Sequence, residues 1–163
     1  MSKGKKHTSY RFIDEAGDTA FYGKGMVPII GNNGVSCVFI LGMVRFRGSL
    51  DDIREKIIDL QQQIQTDLYY KNIPSLQKKI AQGGYYFHAT DDIAEVREKF
   101  FKFIKTLDCS FEAVVARKIP SVYEQKHNAN ETEFYADMLS HLLKKFQRNG
   151  TLILTIAKRG KST

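Results

Sequence analysis

An α/β fold built on a mixed sheet is predicted by three features of the chain. Two strand-like segments come early with no helix between them, residues 9–14 and the apolar run 35–47. The second half then alternates helical and strand patterns, which calls for parallel pairing through right-handed crossovers. Three segments with apolar residues at helical spacing supply faces that must be buried against the sheet.

Length and composition are consistent with this. A chain of 163 residues, 42% hydrophobic and 26% charged, is long enough for one domain with a core. The expected organisation is a flexible basic tail over residues 1–8 and a single domain over 9–163. The longest apolar run, residues 35–44, contains Ser36 and Gly42 and is far shorter than the ~20 residues of a membrane span. No hydrophobic signal core follows Lys5 and Lys6, so a cytoplasmic protein is expected. Cys37 and Cys109 lie in or beside predicted strands and read as reduced, buried thiols.

Taken in order, the first strand ends in the acids Asp14, Glu15 and Asp18, with Gly17 as a turn former. Residues 19–34 carry Gly23, Gly25, Gly31, Gly34 and Pro28 and predict a long loop, with Asn33-Gly34 as a hairpin-turn candidate. Residues 35–47 are apolar on both faces, as a central strand requires. Ser49 with Asp52 predicts a helix N-cap, followed by Ile53, Ile57, Leu60 and Ile64. Pro74 interrupts the next segment; a short helix over 75–82 is predicted, ended by Gly83-Gly84. Residues 85–89 read as a short strand. Asp92 and Glu95 form a cap signature before the stripe Ile93, Val96, Phe100, Ile104 and Leu107. Phe111, Ala113 and Val115 mark a strand, Pro120 closes it, and a polar loop is predicted to Asn130. Asn130 with Glu133 caps a helix whose apolar face is Tyr135, Met138, Leu139, Leu142 and Phe146, stopped by Gly150. Residues 151–157 form the last strand, with apolar groups on both faces.

The segments FIDEAGD, VFILGMV, FHATDD and LILTIAKRGKS, in this order and spacing, resemble the bacterial and phage domain-of-unknown-function 3800 family. The resemblance runs from about Tyr10 onward. It implies a ribonuclease H-like fold, a mixed sheet with helices on both faces. The family's first motif is Asp-Glu-Ser-Gly; Asp14-Glu15-Ala16-Gly17 matches it with alanine in place of serine, and His88 is a family-like histidine. Similar chains continue past the final Arg-Gly into a helix with further acids. This chain stops at Thr163, so the resemblance implies an incomplete domain with its C-terminal helix missing. The end of the predicted fourth strand, where such folds often place another acid, reads Ala116-Arg117-Lys118.

The implied activity is that of a metal-dependent nuclease or phosphodiesterase acting on DNA or RNA. The alternative is a non-catalytic ribonuclease H-like module that binds nucleic acid or protein. Nucleases of this type use carboxylates to hold two divalent ions roughly 4 Å apart, with Mg2+ or Mn2+ as the implied cofactor. The candidate catalytic residues are Asp14, Asp18, His88 and Asp91, and the candidate metal ligands Asp14, Asp18 and Asp91. Side chains alternate along a strand, so Asp14 and Glu15 are not expected to share an ion. Asp18 could return after the Gly17 turn. Each has a plainer reading: an acidic turn at a strand end, a histidine bonded to its loop, and a helix cap at Asp91 or Asp92. Tyr69-Tyr70 and Tyr85-Tyr86 could stack bases or serve as packing. His7, His127 and His141 show no metal spacing with one another, and no C-x-x-C, P-loop or G-x-G-x-x-G occurs.

The net charge of +7 sits at the ends. Lys3, Lys5, Lys6 and Arg11 precede every acid, and Lys144, Lys145, Arg148, Lys158, Arg159 and Lys161 follow the last, so residues 12–143 carry about −3. Basic ends suit either nucleic-acid backbone or solubility. An apolar last strand without a covering helix predicts self-association near the C-terminus, or a chain that is a fragment of a longer protein.

Overall fold

The computed structural model describes residues 8–144 and 151–157. It divides into two compact units: the chain up to Arg45 with the chain from Ser110 onward, and Phe46–Cys109. In chain order the elements are β1 (Thr8–Ala16), a 3-10 helix (Lys24–Met26), β2 (Val38–Phe46), α1 (Leu50–Thr66), α2 (Pro74–Ala81), α3 (Ala94–Lys105), β3 (Cys109–Arg117), α4 (Pro120–His127), α5 (Glu131–Leu143) and β4 (Thr151–Ile156). Among the described residues no helix is long and apolar enough to cross a membrane.

The first unit holds a four-stranded sheet of order β3-β2-β1-β4. β1 runs antiparallel to β2, with Phe12 opposite Val44 and Asp14 opposite Gly42. It runs parallel to β4, with Tyr10 opposite Ile153. Lys118 N–H donates to the Cys37 carbonyl (3.0 Å) and Arg47 N–H to the Asp108 carbonyl (2.9 Å). Numbers rise on one side as they fall on the other, so β2 and β3 are antiparallel. The sheet is therefore mixed, with β1 and β2 interior among the described strands.

Alternation along the strands sorts the faces. Ile13 of β1 and Phe39, Leu41 and Met43 of β2 point into a core completed by Tyr123 of α4 and Phe134, Met138 and Leu142 of α5. The α5 residues recur every four positions, which puts them on one helical face. Phe21, from the β1–β2 loop, stacks on Tyr123 at 3.8 Å and meets Phe134 edge-on at 5.2 Å. Full burial of one such side chain is worth about 1.5–3 kcal/mol, so this face anchors the unit. Among the described residues, both α-helices of the unit contribute to that one face.

The second unit packs α1, α2 and α3 around Ile64, Tyr70, Leu76, Tyr85 and Val96. Ser49 caps α1 as expected, its hydroxyl accepting from Asp52 N–H at 3.3 Å. Pro74 occupies the first turn of α2, where its missing N–H costs nothing. Gly83 and Gly84 follow with φ of +117° and +135°, the left-handed region that stops a helix.

Several expectations are corrected. Residues 85–89 form no strand; the Lys79 ammonium donates to the Tyr86 carbonyl there (3.2 Å), so the segment is held by a side chain and not by a ladder. Asp92 does not cap α3, whose N-cap is Ile93 with no side-chain bond; its carboxylate is buried against Lys79 at 2.8 Å. The polar loop expected before Asn130 contains α4, started by Pro120 and ended by Asn128 in the left-handed conformation. Asn33-Gly34 sits inside a tight turn, Val35 N–H to Asn32 carbonyl at 2.9 Å, and not in a strand hairpin. Cys37 is exposed and Cys109 half-buried, both free, so the thiols are not the buried pair expected. The expected roles of His7, Phe146 and Gly150, and of Lys3, Lys5, Lys6, Lys145, Arg148, Lys158, Arg159 and Lys161, lie outside the described residues.

Candidate functional site

Asp14 owes its position to strand parity. Ile13 is 2% exposed in the core, so its neighbour points to the opposite face of the sheet, where it is exposed. Its Oδ1 accepts the N–H of Glu15 at 2.8 Å, which leaves Oδ2 without a partner among the described residues. The carboxylate lines an open cavity of about 440 Å³ whose other walls include Phe12, Ile40, Val44, Phe111 and Thr155. Gly42 lies directly opposite Asp14. A Cβ there would stand 2.9 Å from Phe111 Cε2 and 3.1 Å from Cζ. Glycine at this point lets the Phe111 ring settle on β2 beside the acid.

The rest of the acidic stretch has a structural explanation. Gly17 has φ +85°, and a Cβ on it would meet the Val38 carbonyl at 2.5 Å, so only glycine fits this close pass of the turn to β2. The turn delivers Asp18 to Lys118, whose Nζ donates to Oδ1 at 2.8 Å and to the Ala20 carbonyl at 2.9 Å. The N–H of Ala20 donates to Oδ1 (2.9 Å) and that of Ser36 to Oδ2 (2.7 Å). Burial pushes the Asp18 carboxyl upward, but the Lys118 hydrogen bond and the two N–H groups prevail and hold it below the usual carboxylate range. Asp18 thus clasps the β1–β2 loop to the end of β3. A metal ion there would have to compete with a lysine whose side chain is fully buried.

His88 and Asp91 come together in the second unit. His88 Nδ1 lies 2.9 Å from Thr90 Oγ1 and 3.1 Å from Asp91 Oδ2. Both residues are about half exposed, and among the described residues the ring's Nε2 has no partner. The His88 N–H is fixed by Asp92 Oδ2 at 2.7 Å, and Asp92 in turn by Lys79. A carboxylate and a hydroxyl at one ring nitrogen orient the other outward, a geometry fit to move a proton. Of the tyrosine pairs, Tyr70 and Tyr85 are buried while Tyr69 and Tyr86 are exposed.

A cluster not foreseen joins α4 to α5. Asp137 Oδ2 accepts from Lys126 at 2.8 Å and meets His127 Nε2 at 3.1 Å, while Oδ1 lies 3.4 Å from His141 Nδ1. The Lys126 hydrogen bond leads in lowering the Asp137 carboxyl, against burial, and His127 adds to it. The four-residue spacing of Asp137 and His141 is the local signal for it; the partners on α4 were hidden because no helix is expected there. Among the described residues no group of three or more His, Cys, Asp or Glu side chains comes together as a metal site.

No family model matches this chain, and no curated protein and no solved structure matches it either.

Proposed function

We propose that the Asp14 end of the sheet is the metal-holding part of a ribonuclease H-like phosphodiesterase site acting on nucleic acid, as the resemblance to the domain-of-unknown-function 3800 family implies. The carrying observation is the carboxylate of Asp14. Among the described residues it lies near the carboxyl end of an interior strand of a mixed sheet, exposed, with one oxygen uncommitted and a cavity in front of it. A bound Mg2+ or Mn2+ would activate water and stabilise the leaving oxygen. Asp14 would hold the ion through Oδ2 while its bond to Glu15 N–H fixes the carboxylate's orientation. Within the second unit, His88, oriented by Asp91, is a proton-handling group proposed independently of the Asp14 site. Asp18 is committed to Lys118 and drops out of the metal-ligand proposal.

The test is thermal unfolding with and without manganese. A ligand that binds only the folded state raises its stability, so millimolar Mn2+ is expected to raise the Tm of the native chain and leave Asp14→Asn unmoved. The same Mn2+ shift in the mutant would remove Asp14 from the site, and metal-dependent cleavage of a labelled oligonucleotide checks the activity itself.

The non-catalytic alternative draws on a different observation, the position of β4. It is outermost in the sheet among the described strands, and Leu152, Ile153 and Ile156 are each about 40% exposed. An unpaired apolar edge recruits another strand. Self-association that rises with concentration is the expected result, read by light scattering; a monodisperse monomer at high concentration would argue against it.

A further inference from the structure

We infer that Phe111 is a stacking platform for an unpaired nucleobase, placed so that the nucleotide's phosphate reaches Asp14. The inference deepens the phosphodiesterase reading of Asp14 and rests on it for the role of the acid. It adds the substrate class: single-stranded nucleic acid.

Three strands set the geometry. Asp14 is on β1, Gly42 opposite it on β2, and Phe111 on β3, the next strand out. Neighbouring strands lie about 4.7–4.9 Å apart. An aromatic ring standing upright on β3 would be two such spacings from the acid. The ring instead leans onto β2, because Gly42 has no side chain to stop it and Cε2 and Cζ fill the space a Cβ would take. The ring edge is thereby brought to about one strand spacing from Asp14, a separation comparable to that between the base and the phosphate of one nucleotide.

Exposure separates this ring from the core aromatics. Phe39 is fully buried, whereas Phe111 is 66% exposed. A lone exposed phenylalanine needs no explanation, but this one shares a wall of the cavity with the acid, beside Ile40 and Val44. About 440 Å³ lies within the size range of small-ligand sites. Apart from Asp14, Glu15 and Thr155 the lining residues are apolar, which suits a flat base at one end and an ion-bridged phosphate at the acidic end. Bases in a duplex already stack on both faces, so a single strand is the fitting form. Stacking on an aromatic ring is indifferent to base identity, and no sequence preference is expected.

The experiment is binding of a fluorescein-labelled mixed-sequence 12-nucleotide DNA, single- or double-stranded, at low salt in EDTA. Phe111→Leu keeps apolar bulk and removes the aromatic face; it is expected to weaken single-strand binding by about tenfold and leave duplex binding unchanged. The chain has no tryptophan, so Phe111→Trp places a lone reporter in the site. Its fluorescence is expected to be quenched as the single strand binds, with affinity retained. Equal single-strand affinity for the native chain and Phe111→Leu, an unquenched reporter, or no single-strand binding would each overturn the platform. The manganese shift is read separately, on the native chain and on Asp14→Asn. No shift in the native chain, or an equal shift in Asp14→Asn, with Phe111-dependent binding intact would sink the metal reading and leave the platform standing; a native shift that Asp14→Asn loses, with Phe111-independent binding, would do the reverse.

Discussion

Asp92→Ala is expected to destabilise the second unit by about 3–5 kcal/mol, the cost of leaving one member of a buried ion pair alone. The side chains of Lys79 and Asp92 are only 6% and 2% exposed. Without the carboxylate, the ammonium keeps the Tyr86 carbonyl and the faces of Tyr85 and Tyr86, 5.5 and 4.9 Å from its Nζ. Those contacts do not replace a counter-charge. The burial of Tyr85, with the charge of Asp92 adding to it, also raises its phenol far above the ordinary value; removing Asp92 should bring the phenol part of the way down. Amide hydrogen exchange is the right measurement because it resolves the units. Faster exchange across α2, α3 and residues 85–92, with the sheet unchanged, is expected. Unaltered exchange in α2 and α3 would show that the pair contributes little.

The second large effect is expected at the Asp18–Lys118 clasp, and it depends on pH. Asp18→Asn should cost about 2–4 kcal/mol near neutrality, somewhat less than the Asp92 change, because a third of the Asp18 side chain remains in water. The folded-state carboxyl lies below its ordinary value of 3.8. Its stabilising contribution is therefore fully present above the unfolded pKa and disappears as pH falls through the lower folded one. Urea titrations of the native chain and the mutant should show a constant gap from pH 7 to about 5, closing below about 4. A gap that persists undiminished at pH 2 would mean that something other than the carboxylate's charge is lost.

These two pairs also show where the sequence stops being legible. Helix starts at Ser49 and Asn130 were readable because a cap is a local event: Asn130 Oδ1 accepts from Thr132 and Glu133 N–H, two and three residues away. The strands β1 and β2 were readable for the same reason, each being a contiguous segment: β1 a strand-like run into the acids, β2 a run apolar on both faces. Lys118 reaches Asp18 across 100 residues, and no spacing announces that. Asp92 has the residue type and offset of a cap, yet Lys79 thirteen residues earlier claims it. α4 is only eight residues with Tyr123 and His127 buried, too few apolar positions to show a period. The division into two units was invisible because composition does not change at Phe46 or Cys109.

The place of β1 in the sheet carries a consequence for how the chain assembles. Its pairing with β2 joins segments about thirty residues apart, Phe12 with Val44 and Ala16 with Ile40 nearer still. Its pairing with β4 joins Thr8 to Thr151, across almost the whole chain and with the entire second unit intervening. Closing a loop of that length costs more entropy and is slower than zipping a local ladder. The β1–β2 ladder should therefore form early, and β4 should dock last. Until it does, the strand bearing Asp14 is itself a free edge. A nascent or refolding chain passes through a stage in which Tyr10, Phe12 and Asp14 belong to a rim open to any strand of similar pattern. Refolding yield should consequently fall with protein concentration even where the finished sheet is stable.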